Sequence, residues 1–164
     1  MKKEEIKKEL ELEIRAFLEA KERSTVDAID DFEETRILES AFNRLFLAVE
    51  HLCNALVLLE TGNFSPKHFG DLKKLKELKA EYKTDFQMVY EKAYAFRGYD
   101  DYRKFPEVEE KFNRENLQQQ LSEVQQIMNK ILEIVSKKID VSYLIDKSAG
   151  RLREEQRNKK RESS

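Results

Sequence analysis

The polar groups able to do chemistry in this chain are few. His51 and Asn54 lie three apart in a segment dominated by leucine, and Arg97, Asp101 and Tyr102 stand together much later. On helices, His51 and Asn54 share one face, and Arg97 and Asp101 share another. An arginine fork holds phosphate through paired N–H donors, histidine and asparagine add further donors, and a tyrosine ring can stack on a base. Lys67 and His68 precede a lysine-rich run of Lys73, Lys74, Lys76, Lys79 and Lys83 that could attract phosphate. Plainer readings stand beside these. Arg97 and Asp101 fit a surface ion pair, and the lysines, diluted by Asp71, Glu77 and Glu81, fit a solvated face.

Other chemistries lack material. There is no glycine-rich phosphate loop, no His-Glu metal motif and no cysteine pair. With two His and one Cys, neither a metal centre nor a cofactor site is expected, and Glu33-Glu34 reads as a solvated acidic face. Any catalysis would depend on His51 and Asn54 meeting Arg97 and Tyr102 across neighbouring helices.

The elements that would position these groups are helices. The chain has 164 residues, 40% hydrophobic and 39% charged, with four Gly and two Pro, enough for one core but short of the turn residues a sheet needs. The reading is all-α, with residues 1–146 as one bundle and 147–164 as a frayed basic tail, flexible or helical. Ser40 to Glu60 is the expected central helix. Phe42, Leu45, Val49, Leu52, Cys53, Leu56 and Leu59 recur at helical spacing, and Leu47, Ala48, Ala55 and Leu58 widen the apolar surface. A narrow polar stripe remains at Asn43 or Arg44, Glu50, His51 and Asn54. Gly62 suits the left-handed stop, and Pro66 prevents resumption.

A first amphipathic helix is expected over Met1 to Arg23, on Ile6, Leu10, Ile14, Phe17 and Leu18. Ser24-Thr25 reads as the cap of a second helix, and the acidic Asp27 to Glu39 suits the first turns of a helix running into Ser40, with or without a break there. Thr84-Asp85 reads as the cap of a helix buried through Phe86, Val89, Tyr90 and Ala93. From Asn113 the longest regular helix is expected, packed through Leu117, Leu121, Val124, Met128, Ile131 and Val135, with Gln118, Gln119, Gln120, Gln125 and Gln126 outside. Asp140 could cap a short continuation through Val141, Tyr143, Leu144 and Ile145.

The formal net charge of −2 announces neither nucleic acid nor membrane for the molecule as a whole. Cys53 has no intrachain partner and reads as a core thiol. No apolar run is expected to reach membrane-spanning length and no apolar segment follows the lysine-rich N-terminus, so a cytoplasmic protein without an anchor is expected.

The segments around the polar groups resemble a known superfamily over residues 40–135. Asn43-Arg44-Leu45-Phe46-Leu47-Ala48-Val49-Glu50-His51-Leu52-Cys53-Asn54-Ala55-Leu56, then Ser65-Pro66-Lys67-His68-Phe69-Gly70, then Arg97-Gly98-Tyr99-Asp100-Asp101-Tyr102 are similar, in order and spacing, to segments of HEPN proteins. Within that superfamily they resemble a branch of short proteins with an Arg-x-x-x-Asp-Tyr signature. The resemblance implies an antiparallel bundle of four or five helices, commonly a homodimer, among ribonucleases and toxins paired with small nucleotidyltransferase antitoxins. The broad apolar girdle of the central helix agrees with a dimer. Those ribonucleases carry His where this chain has Tyr102, and a phenol with an ordinary pKa of about 10 is a poor proton acceptor near neutrality. The implied function is therefore binding of RNA or nucleotide through Arg97, Asp101, Tyr102, His51, Asn54, Lys67 and His68. A metal-independent ribonuclease toxin is the alternative, and a structural partner without ligand a further one.

Overall fold

The computed structural model describes residues 3–62, 80–96 and 112–144. Helix makes up 87% of them and no strand occurs among them, so the all-α reading holds. The described helices are α1 (Lys3–Ser24), α2 (Asp31–Thr61), α3 (Ala80–Phe96) and α4 (Arg114–Ser136).

Cross-helix contacts fix their directions. Glu9 meets His51 while Glu19 meets Arg44, so α1 and α2 run antiparallel. Phe96 packs on Phe42 and Tyr90 on Phe46, making α2 and α3 antiparallel. Lys92 pairs with Glu123 and Asp85 with Lys130, which sets α3 against α4 in the same sense. Alternating directions let each helix turn one apolar stripe to a shared core.

α2 is the centre of that core, with Leu45, Val49, Leu52, Ala55, Leu56 and Val57 at zero exposure. It runs unbroken from Asp31, so the acidic segment and the apolar one form a single helix, longer than the one that begins after Asn113. Its start is capped by Asp30, whose Oδ1 accepts from the Glu33 N–H at 2.7 Å, and its end by Gly62 at φ 74°. Ser24 and Thr25 do not begin this helix as expected. Their hydroxyls turn back to the carbonyls of Lys21 and Glu22 at 2.6 and 2.7 Å and finish α1 instead. Thr84 and Asp85 are likewise interior to α3, because the helix already runs from Ala80. α4 begins where the long helix was expected, with Asn113 as its cap accepting from the Asn116 N–H at 2.8 Å, and Asp140 holds the following turn through Ser142.

By length and composition α2 could cross a bilayer, contrary to expectation, but 67% of its apolar window is buried in the bundle. That burial is what a soluble core helix shows as well.

One charged residue read as surface, Glu34, has another duty. Arg114, the first residue of α4, holds the α1–α2 connection at both ends. Its guanidinium donates to Glu34 Oε1 and Oε2 at 2.6 and 2.8 Å, and to the carbonyls of Ser24 and Val26 at 3.0 and 2.6 Å. Glu34 is therefore an ion-pair partner rather than part of a free acidic face, and the hydrogen bonds from Arg114 hold its pKa below the ordinary carboxylate value. Both side chains are about a third exposed, which screens the pair. Arg114→Ala is expected to cost about 1–3 kcal/mol in urea unfolding. A carboxylate with a depressed folded pKa stabilises above its unfolded pKa and loses that contribution as pH falls through the folded value. The deficit of Arg114→Ala should accordingly shrink in acid, and a deficit independent of pH would show that the ion pair contributes little.

Candidate functional site

On α2, the most apolar of the described helices, the polar pair His51 and Asn54 faces α1. His51 Nδ1 lies 2.6 Å from Glu9 Oε2, and Asn54 Nδ2 donates to the same oxygen at 3.3 Å. Leu52, Cys53 and Leu56 on one side, with Ile6 and Leu10 on the other, are buried, so the polar groups sit at the margin of a dry interface. The His51 and Glu9 side chains retain 20% and 16% exposure, enough for contact with solvent or a small ligand.

An ionised carboxylate only accepts, so the short contact assigns the Nδ1 proton to His51 and leaves Nε2 for another partner. Imidazole steered in this way by a carboxylate can exchange a proton at Nε2 or, when charged, donate to an anion there. Asn54 keeps its carbonyl oxygen for a donor.

Glu9 was not among the sequence-derived candidates. Nothing in its local pattern separates it from Glu5 or Glu11, and its role follows only from α1 lying antiparallel on α2. One turn further along α1 is Glu13, at zero exposure. Among the described residues neither of its carboxyl oxygens has a hydrogen-bond partner, and burial raises its pKa well above the ordinary value. The spacing Ile6, Leu10, Glu13, Phe17, Ala20, Ser24 was the available signal, since every residue of that stripe is buried. Gln120 on α4 is a parallel case. Expected on the outer side with the other glutamines, it is 2% exposed, because it lies on the stripe of Leu117, Leu121 and Val124.

Arg97, Asp101, Tyr102, Lys67 and His68 lie outside the described residues, as do the lysine run to Lys79 and the tail. The end of α3 that leads to Arg97 packs on the first half of α2, with Phe96 at 4.9 Å from Phe42 and Tyr94 at 5.9 Å from Phe46. α2 and α3 are thus neighbours as expected, while the described half of the candidate site, His51 and Asn54, is gathered on Glu9.

A groove of about 450 Å³ opens between α3 and α4, with Met88, Val89 and Ile127 among its lining. Lys92–Glu123 and Asp85–Lys130, each at 3.1 Å, cross it, so its charges cancel. No group of three or more potential metal ligands occurs among the described residues. Comparison with protein-family models, with curated proteins and with solved structures gives no match for this chain.

Proposed function

We propose that this protein is a HEPN-like helical bundle that binds RNA or nucleotide phosphate and acts with a partner such as a nucleotidyltransferase. The observation that carries the reading is the Glu9–His51–Asn54 cluster, a partly open set of hydrogen-bonding groups where α1 meets the apolar stretch of α2. In this reading His51 Nε2 and the Asn54 carbonyl meet the ligand, Arg97 holds its phosphate, Tyr102 stacks on a base, and Asp101, Lys67 and His68 complete the site. The protein works in the cytoplasm as a homodimer, its Tyr102 making it a binder rather than a nuclease.

Fluorescence anisotropy with a labelled single-stranded RNA, and with nucleotides as competitors, tests this. Binding should weaken steeply with salt, by a slope of about 0.7 per phosphate engaged. Arg97→Ala should abolish it, and His51→Gln should weaken it about tenfold, as loss of a charge-assisted hydrogen bond does. Light scattering of the same preparation should give twice the 19.5 kDa chain mass. Absence of RNA and nucleotide binding at low salt would remove the proposal, and a monomer at high concentration would remove the dimer.

A second reading, a metal-independent ribonuclease toxin, is favoured by one feature, the 2.6 Å contact that steers His51 as a proton-transfer group is steered. The unmodified protein is expected to cleave RNA slowly or not at all, and Tyr102→His to raise cleavage in a manner dependent on Arg97. Robust cleavage by the unmodified protein, lost in Tyr102→Phe, would replace binding by catalysis.

A further inference from the structure

The connection from α1 to α2 exposes apolar side chains that the described fold does not use. Ile29 is 87% exposed, Phe32 70% and Val26 43%. Single exposed apolar residues are ordinary, but here Val26 and Ile29 on the connection and Phe32 in the first turn of α2 lie close together on a stretch that is held in place. Arg114 binds the Val26 carbonyl at one end and the Glu34 carboxylate at the other, and Asp30 caps α2 between them. A segment already ordered gives up little further freedom when a partner binds.

Charge selects the partner. Residues 25–35 include Asp27, Asp30, Asp31, Glu33 and Glu34 and no Lys or Arg, and Arg114 pairs with Glu34 and also attracts Asp27. Arg36 is a further cation nearby, lying 5.7 Å from the Phe32 ring centre. The remaining carboxylates repel RNA and an anionic bilayer. A two-fold contact between copies would set this acidic surface against itself, which like charges oppose. We propose that the α1–α2 connection and the first turn of α2 form a docking site for a basic segment of another protein, one that places apolar anchors on Ile29 and Phe32 while its Lys or Arg residues face Asp31 and Glu33.

The test uses the full chain and short fluorescein-labelled peptides of leucine and lysine at helical spacing, with two controls, Glu in place of Lys and Ser in place of Leu. The Leu/Lys peptide should bind and both controls should fail. Ile29→Ser with Phe32→Ser should weaken binding about tenfold or more, as truncation of interface anchors does, while leaving the thermal melt unchanged because both side chains are exposed. Asp31→Asn with Glu33→Gln should weaken binding and flatten its salt dependence. The proposal falls if the Ile29/Phe32 double variant keeps wild-type affinity, or if the Glu peptide binds as well as the Lys peptide. It falls equally if sedimentation shows the same double variant to dissociate a wild-type oligomer, since the patch would then join two copies.

Discussion

Leu56→Ala should lower the unfolding free energy by about 2–5 kcal/mol, enough to remove a large part of the stability of a domain this size. Leu56 has zero exposure and lies on α2, which packs against each of the other described helices. The cavity left behind is walled by several helices whose backbones cannot all move inward, so little of the lost packing is recovered. Leu52, also at zero exposure, should behave alike. Urea unfolding gives the measurement, and a wild-type midpoint in both variants would take α2 out of the core.

Glu13→Met should act in the opposite direction. The Glu13 carboxyl is buried, finds no partner among the described residues, and has its pKa raised by burial. Holding such a polar group in an apolar site costs about 1–3 kcal/mol even without charge. Methionine, unbranched and of similar length, can fill the same space without that cost. The pH dependence has a definite sign. The folded state keeps the proton on Glu13 at pH values where the unfolded chain has released it, so folding takes up a proton there. Stability from this group is complete below the unfolded pKa of about 4.3 and declines as pH rises toward the folded value, by up to about 1.4 kcal/mol per unit. The advantage of Glu13→Met should thus widen as pH rises above the ordinary carboxylate range. Parallel stability curves for the two proteins would show Glu13 to be solvated or paired in the native state.

Such a residue weakens the interface it occupies, and its position bears on the candidate site. Glu13 is one turn from Glu9, which holds His51 and Asn54. Glu13 is fully buried while Glu9 keeps part of its surface open, so Glu13→Met should leave RNA affinity near the wild-type value while raising stability. Loss of binding in that variant would make Glu13 part of the binding site itself.

Hydrophobic periodicity carries the parts of this protein that are local in origin. The buried residues of α2, the Ile6–Leu10–Phe17 stripe of α1 and the Leu117–Val135 stripe of α4 repeat at helical spacing, and the amphipathic pattern that makes them visible is also what drives their burial. Gly62 was legible for the same reason, since a left-handed stop is a property of a few adjacent residues. The choice among competing caps was not, because Ser24, Thr25 and Asp30 all have capping chemistry. The clasp of Arg114 on Ser24 and Val26 accompanies the outcome in which α1 ends at Ser24 and α2 begins after Asp30. His51 and Asn54 were recognisable as polar groups on an apolar helix, but the carboxylate that gathers them comes from a helix about forty residues away, and only the antiparallel packing of α1 on α2 selects Glu9 from its neighbouring glutamates. The burial of Glu13 and Gln120 was decided in the same way. Each lies on a helical stripe whose other members are apolar, and once those members pack, the rigid helix carries the polar side chain into the core with them.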